Sequence, residues 1–324
     1  MNDIYKPEGS RIGTAENQAY ISTPAGLERA MLEGAVVEGV ATLCDSRFCL
    51  HVDLGCAKGM VEAEEAVWCR EGEARKDIAI ITRVGKPVAV RVLALEHRGG
   101  MLIAKLSRRL AQRDCISHYM TLARPGDIVM ARVTHLEPFG AFMDIGCGVP
   151  SLLSVDCISV SRISHPKDRL RCGMELPVVI KSIDRESGRI YVTLRELLGT
   201  WEENAVAFEA GQTVAGIIRS VESYGVFVEL APNLAGLAEL RDGTAEELRA
   251  RIGQSASVYI KSIVPDRMKI KLVLIDACCQ AAAPTPLRFY IKPSIGHLSG
   301  WRYSPAASRK VVETVFDTAD DFFA

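Results

Sequence analysis

Internal repetition constrains the fold of this chain more than any other feature of its sequence. The stretch HLEPFGAFMDIG is answered further along by VESYGVFVELAPNLAGLAEL, and a weaker copy, SRFCLHVDLG, lies upstream. The two stronger copies share one spacing, because Gly126 stands 14 residues before Gly140 and Gly211 stands 14 residues before Gly225. The chain is therefore expected to build the same small unit more than once.

The second halves of the repeats align without a gap and fix the number of units. They are GKPVAVRVLALE, GMELPVVIKSID and GQSASVYIKSIV, which begin at Gly85, Gly173 and Gly253. Three units of roughly 65 to 75 residues follow, which suits 324 residues divided among several small cores.

Apolar residues alternate within each copy, which is the period of a half-buried strand. In the middle unit Ala141, Met143 and Ile145 share one face, so Phe142 is predicted to point the other way, toward solvent. Phe227 takes this place in the third unit and His51 takes it in the first. Five strands are predicted in the middle unit, at Ile128 to Leu136, Gly140 to Ile145, Ser151 to Ser154, Leu176 to Ile183 and Ile190 to Leu194.

Five short antiparallel strands can hide their edges by closing into a small barrel, and the oligonucleotide-binding (OB) barrel is the candidate. Helical period occurs only outside the units, in linker helices at 107–123 and 195–208, after the Ser22-Thr23-Pro24 cap signal, and in a tail helix at 305–316. The predicted fold is mainly β, with three tandem barrels, short linker helices and a small α/β tail. The predicted divisions are 1–32 (extension), 33–108 (barrel), 109–124 (linker), 125–195 (barrel), 196–209 (linker), 210–276 (barrel) and 277–324 (tail).

Composition excludes some classes of protein. A net charge of −1 and a pI near 6.6 argue against a generally basic nucleic-acid coat, although a local basic or aromatic face stays open. No run approaches the roughly 18 apolar residues of a membrane span, and the amino terminus lacks a signal-like apolar region. We expect a cytoplasmic protein whose ten cysteines are reduced and mostly buried.

The repeats resemble the S1 RNA-binding motif, an OB-type barrel named after the largest protein of the bacterial small ribosomal subunit. The resemblance runs from about Gly34 to Leu274 and is strongest in RPGDIVMARVTHLEPFGAFMDIGCG and KSIDRESGRIYVTLRE. Taken whole, the chain resembles short bacterial homologues of that protein. The resemblance implies an RNA-binding face that falls on Phe139, Phe142, Ser154, Asp184 and Arg189 in the middle unit and on Tyr224, Phe227 and Lys269 in the third.

This chain departs from the family pattern at several places. Ser154 stands where the family often has a histidine, and Val264 stands where the third unit would carry the acid. The first unit has Phe48 but places His51 at the second aromatic, Met101 at the arginine and Glu62 beside the groove. The first unit is therefore predicted to be degenerate as an RNA reader.

Each candidate has an ordinary structural explanation as well. A single outward phenylalanine can shield a barrel or pack on a linker helix, but its recurrence as Phe142 and Phe227 favours base stacking. Lys181 and Lys261 recur in the KSI triplets and are as compatible with solubility as with RNA binding. The basic loop 161–171 has an even chance of touching RNA, and Trp301 and Tyr303 are expected to pack the tail onto the third barrel.

No enzymatic motif is evident, since phosphate-binding, zinc-protease and nucleophile-elbow spacings are all absent from the sequence. Asp144 and Asp184 could form half of a metal site, but nothing supplies further ligands. We expect no cofactor. Two classes of function stay open: an RNA-binding protein of translation, which docks on the small ribosomal subunit through residues 1–108, holds single-stranded messenger RNA and is monomeric off the ribosome; or a protein-interaction scaffold or regulator of RNA metabolism built on the same barrels.

Overall fold

The computed structural model describes residues 5–70, 72–240, 245–281 and 285–317, with only the backbone of 278–281. It contains three closed five-stranded barrels, which confirms the predicted fold class. The amino-terminal part and first barrel comprise α1 (Ala15–Ile21), α2 (Pro24–Glu33), β1 (Val36–Cys44), β2 (Leu50–Asp53), β3 (Lys58–Val61), α3 (Ile78–Ile81), β4 (Pro87–Arg98) and β5 (Met101–Ser107).

Helix α4 (Arg108–Leu122) leads into the second barrel, as the sequence predicts. That barrel consists of β6 (Ile128–Glu137), β7 (Gly140–Asp144), β8 (Pro150–Ser154), β9 (Glu175–Asp184) and β10 (Arg189–Thr193). After α5 (Trp201–Ala205), the third barrel consists of β11 (Thr213–Glu222), β12 (Gly225–Ala231), β13 (Leu234–Ala238), α6 (Ala245–Arg249), β14 (Gln254–Val264) and β15 (Lys269–Ala281). The tail carries β16 (Gly300–Arg302) and β17 (Glu313–Val315).

The sheet of each barrel is mixed rather than wholly antiparallel, which corrects one detail of the prediction. The third and fifth strands of each unit run parallel: β3 with β5, β8 with β10, and β13 with β15. The other pairs within each barrel are antiparallel. This single parallel pair lets five strands close without an exposed edge.

Alternation in the middle unit predicted its strands to within one residue at each end. Ala141, Met143 and Ile145 are fully buried, whereas Phe142 is half-buried on the outer surface. The glycines that anchor the second halves, Gly85, Gly173 and Gly253, all adopt left-handed backbone with φ of 77°, 85° and 86°. Because side chains with a Cβ rarely adopt this conformation, the repeated glycine has a structural cause.

The linker at 195–208 is not one helix. A short 3-10 helix at Arg195–Leu198 ends at Gly199, and α5 then begins after Thr200, whose side chain forms a reciprocal capping box with Glu203. The two halves bury their apolar faces in different cores: Leu197 and Leu198 in the second barrel, Trp201 and Ala205 in the third. A single straight helix could not pack against both barrels. The apolar residues that the helical period placed on one side are therefore divided between the two cores.

A buried charge cluster joins the first two barrels. The Glu8 carboxylate accepts hydrogen bonds from Arg108 Nε at 2.6 Å and Nη2 at 3.0 Å, and from Arg83 Nη1 at 3.2 Å. The Glu8 backbone N–H donates to Asp144 Oδ2 at 2.7 Å. Burial, and next the nearby Glu8 carboxylate, raise the pKa of Asp144 to about 7.

The amino-terminal segment also contains a helix that the sequence did not predict, α1, which precedes the predicted α2.

The raised pKa of Asp144 predicts a pH dependence. The folded state holds this proton between about pH 4 and 7, where the unfolded chain has lost it, so the free energy of unfolding should fall as pH rises through that range. Urea midpoints at about pH 5 and about pH 7.5 measure the slope. Asp144→Asn should reduce this fall, even if the variant is less stable at every pH, because the substitution removes the group whose pKa differs between the folded and unfolded states. Equal slopes would contradict the assignment.

A second buried cluster joins the second and third barrels. Arg169, in the loop 161–171, forms a buried ion pair with Glu229, and Arg219 Nε donates to the same carboxylate at 2.7 Å. Asn233 accepts a hydrogen bond from Val160 N at 2.9 Å. The loop thus packs on the third barrel through Arg169. Because the Arg169 side chain is buried, it cannot contact RNA, although the sequence predicts an even chance of such contact for the loop.

The tail has a hairpin where the sequence predicted a helix at 305–316. Strands β16 and β17 pair around Trp301, which is buried with Tyr303 in the core of the third barrel, as expected. The tail also binds the second barrel: His297 Nδ1 lies 2.8 Å from Asp127 Oδ1, and Leu298 N donates to Gly126 O at 2.8 Å. The Ser-Pro signal failed because strand pairing and burial of the aromatic rings determine this segment.

The cysteines whose side chains are described are free thiols, and they are less uniformly buried than expected. Cys49, Cys115, Cys147 and Cys157 are buried, three others are half-buried and Cys172 is exposed. The pair Cys278-Cys279 lies outside the residues whose side chains are described. Among the described helices, none combines the length and apolar character needed to cross a bilayer.

Candidate nucleic-acid interface

A continuous row of side chains crosses the outer face of the second barrel. Strand register places His135 opposite Phe142, Phe142 opposite Leu152, and Leu152 opposite Tyr191. Phe142, Leu152 and Tyr191 are all half-buried, so their outward edges stay in contact with solvent. The row forms a ridge with two ring faces that a flat base can meet.

The same register recurs in the other barrels, which confirms the equivalence of Phe142, Phe227 and His51. In the third barrel the row is Ser220, Phe227, Leu237 and Lys271. In the first barrel it is Leu43, His51, Met60 and Lys105. A β-bulge precedes the central position in all three first strands.

Each aromatic in the second and third rows has a ring partner at the start of its strand. The Phe139 and Phe142 centroids lie 6.0 Å apart at 88°, and the Tyr224 and Phe227 centroids lie 6.2 Å apart at 89°. The outer rings are well exposed, at 55% for Phe139 and 64% for Tyr224. This edge-to-face arrangement fixes the inner ring and leaves the outer ring free to stack with a ligand.

In the third barrel the ring pair borders a groove of about 790 Å³. Four cations from β14, β15 and the turn between them line this groove: Lys261, Arg267, Lys269 and Lys271. None of the four forms an ion pair within the described ranges, whereas Arg251 in the same groove is paired with Glu247 at 2.7 Å. A chain of net charge −1 thus concentrates unpaired positive charge beside the exposed ring of Tyr224 and the half-buried ring of Phe227.

The predicted polar residues of the second barrel lie at the same corner but differ in their contacts. Arg189 and Asp184 face each other across β9 and β10, and Arg189 is exposed. Hydrogen bonds from the Ser187 side chain and backbone lower the pKa of Asp184, so its carboxylate caps the turn between these strands. In the third barrel the corresponding pair is Lys269 and Val264, as predicted.

Two further predicted residues, Lys181 and Ser154, contact neighbours in their own barrel. The exposed Lys181 Nζ lies 3.1 Å from Cys157 Sγ, at the turn that follows β8. The Ser154 hydroxyl donates to Asp156. Lys181 can still reach a ligand, because its thiol contact is weak and its ammonium is at the surface.

The first barrel presents a different face. His51 takes the central position, and Met101, at the place of Arg189, is 60% exposed. Glu96 neutralises both nearby cations, with Lys105 Nζ at 2.6 Å and Arg98 Nη2 at 2.8 Å. With an imidazole in place of the phenyl ring and with both cations paired, this face offers less to a base or a phosphate than the faces of the other two barrels.

Sequence comparison of the repeats missed Tyr191, Leu152, Lys271 and Arg267. Parity along the fifth strand would have revealed Tyr191 and Lys271, because each lies two residues after the predicted cation. Leu152 required the strand pairing itself. The turn between the fourth and fifth strands keeps its backbone conformation although its sequence differs. Met268 in the third barrel is left-handed, with φ of 49°, like Gly188 at the equivalent position of the second barrel.

The geometry does not support the imagined metal pair. Asp144 is buried at the junction of the first two barrels, whereas Asp184 is exposed at a turn. In the part of the chain that the structure describes, no group of three or more histidine, cysteine, aspartate or glutamate side chains is placed to hold a metal ion.

Comparison with known proteins agrees with the barrels. Residues 122–195 match the family model of the S1 RNA binding domain. Small ribosomal subunit protein bS1 of Staphylococcus aureus is 27% identical over 237 residues, which is 67% of this chain and 60% of that protein. The bS1 protein of Pseudomonas aeruginosa is 28% identical over 267 residues, 80% of this chain and 46% of that protein.

A solved structure described as a multidomain protein with nucleic acid binding domains, from Streptococcus pneumoniae, is 16% identical, covers 75% of this chain and 74% of its own, and has a TM-score of 0.24. The chain spans 46% to 60% of the length of the two bS1 relatives. It contains an S1 RNA binding domain at residues 122–195. Its similarity to bS1 is distant.

Proposed function

We propose that this chain is a non-catalytic RNA-binding protein of translation, located in the cytoplasm and monomeric away from the ribosome. Its second and third barrels hold single-stranded messenger RNA. The observation that carries the proposal is the duplicated edge-to-face ring pair, Phe139 with Phe142 and Tyr224 with Phe227, each beside an exposed cation on the fifth strand. Such rings stack on any base at about 1 to 3 kcal/mol each, and nearby cations bind the phosphates.

A gel shift of the full chain on an unstructured oligonucleotide tests this function. Binding should weaken as salt rises, because phosphate contacts release counterions, with little preference among sequences that stay single-stranded. The second candidate is a protein scaffold, which the near-neutral charge and the paired cations of the first barrel favour. A scaffold would show no shift at any salt.

The proposal also assigns docking on the small ribosomal subunit to residues 1–108, whose barrel face carries His51 in place of the central phenylalanine. Deletion of this segment is an ambiguous test, because Glu8 and Arg108 cover Asp144 of the second barrel. Surface substitutions are cleaner. Leu43 and Met101, which are 52% and 60% exposed, lie on the outer face of the first barrel.

We predict that Leu43→Asp with Met101→Asp abolishes co-sedimentation with small subunits and leaves oligonucleotide affinity within about threefold, under about 1 kcal/mol. The matched control is Leu32→Asp, at an 82% exposed position on α2 outside that face, which should still pellet with subunits. A double variant that pellets normally but binds RNA poorly would show that the roles of the barrels are reversed.

A further inference from the structure

The groove of the third barrel has a wall that the barrel itself does not supply. Lys310, from the tail, lines the groove together with Tyr224, Phe227 and Lys271. The tail lies outside the three repeats, so nothing in the repeat pattern predicts a tail residue at this place. A role for Lys310 in the groove requires that the backbone on both sides of it be fixed to the barrel.

The tail is fixed to the third barrel on both sides of Lys310. Before it, Trp301 and Tyr303 are buried in the barrel core, and the Tyr303 hydroxyl donates to Asn233 O at 2.5 Å. After it, Val312 packs against the same core, which also includes Met268 at the turn beside the groove. The backbone that carries Lys310 is therefore anchored at both ends.

The loop between these anchors is closed by its own hydrogen bonds. Tyr303 N donates to Val312 O at 2.9 Å, and Val312 N donates to Ser304 Oγ at 2.8 Å. The Ser308 hydroxyl donates to Lys310 O at 3.1 Å and is itself buried. Both serine side chains form hydrogen bonds within the loop and so restrict its conformation. This restriction lowers the conformational entropy that Lys310 would lose on binding a ligand.

The charge around Lys310 has no internal explanation. Its side chain is exposed, and its ammonium forms no ion pair with any residue that the structure describes. It faces a groove where Lys261, Arg267, Lys269 and Lys271 are also unpaired. The groove also contains the carboxylates of Glu239 and Asp276, so the five unpaired cations outnumber the unpaired acids. Like charges in excess repel one another, and a bound polyanion relieves that repulsion.

We infer that the C-terminal hairpin is part of the RNA site and that Lys310 binds a backbone phosphate of the strand whose bases stack on Tyr224 and Phe227. This inference rests on the proposed function and adds to it a binding residue from outside the barrels. A lone solvated lysine is the competing explanation. It predicts that reversing the charge at Lys310 matters no more than reversing another exposed tail lysine.

The test uses the full chain and an unstructured oligouridine, measured by fluorescence anisotropy over a range of salt. Lys310→Glu should weaken binding about tenfold and Lys310→Gln about threefold, and each should reduce the slope of log affinity against log salt by about one phosphate contact. Lys292→Glu is the matched control, because this exposed tail lysine is not among the groove residues and its substitution changes net charge equally. It should stay within about twofold.

Equal losses for Lys310→Glu and Lys292→Glu, or no loss for either, would overturn the inference. Phe227→Ala separates this failure from failure of the proposed function. If Phe227→Ala weakens binding while Lys310→Glu does not, the barrel binds RNA without the tail. If the unaltered protein has no affinity for the oligonucleotide, the proposed function itself is wrong.

Discussion

Glu229→Gln is expected to destabilise the contact between the second and third barrels by about 3 kcal/mol. The substitution leaves the guanidinium groups of Arg169 and Arg219, which are 0% and 6% exposed, without the carboxylate they share. Burial already lowers the pKa of Arg169, which shows the cost of holding its charge there. Asp168 lies 3.3 Å from Arg219 and also favours the charged form of Arg169, so the loss is placed at the lower end of the range for broken buried pairs.

Urea unfolding of the full chain measures this effect as a shift of the transition of the third barrel to lower denaturant. Glu222→Gln is the matched control, since Glu222 lies on β11 of the same barrel and forms no ion pair within the described residues. If the two variants lose the same stability, the buried cluster does not hold the barrels together.

Phe142→Ala and Phe227→Ala together should reduce affinity for single-stranded RNA by about 2 to 6 kcal/mol, because each ring contributes about 1 to 3 kcal/mol of stacking. Each single variant should lose its own share, and the losses should add if the barrels bind separate stretches of the strand. Thermal stability should change little, because the rings lie on the outer face and the buried positions beside Phe142 are Ala141 and Met143.

Tyr259→Ala is the control for loss of an exposed aromatic. Tyr259 is 38% exposed on β14, in the same barrel as Phe227, and is not among the residues that line the groove. Its substitution should leave RNA affinity within about twofold. A large fall in melting temperature for the phenylalanine variants, with no specific loss of RNA binding, would show that the rings pack the barrel instead.

Alternation and repetition predicted much of the fold because both are local. Period two places Ala141 and Met143 inside and Phe142 outside, and the repeat spacing identifies Phe227 as its equivalent. The register observed in the barrels keeps this equivalence, including the degenerate His51. The candidate ring face was therefore accessible from sequence, while its affinity for RNA stays a prediction.

The junctions could not be predicted, because they depend on residues far apart in the chain. Glu8 and Asp144 are separated by 136 positions, and Arg169 and Glu229 by 60. The basic loop was hard to interpret for the same reason, since only the packed barrels show that Arg169 is turned inward. The Ser-Pro signal in the tail is compatible with a helix. Burial of Trp301 in the third barrel, which the local sequence does not reveal, favours the hairpin instead.

The central claim is that the outer faces of the second and third barrels bind a strand through its exposed bases. The most direct test compares the affinity of the full chain for an unstructured RNA with its affinity for the same strand annealed to its complement. Because bases are stackable only when unpaired, we predict at least about tenfold tighter binding to the single strand, and loss of that preference in the double phenylalanine variant. Equal or tighter binding to the duplex would contradict the account.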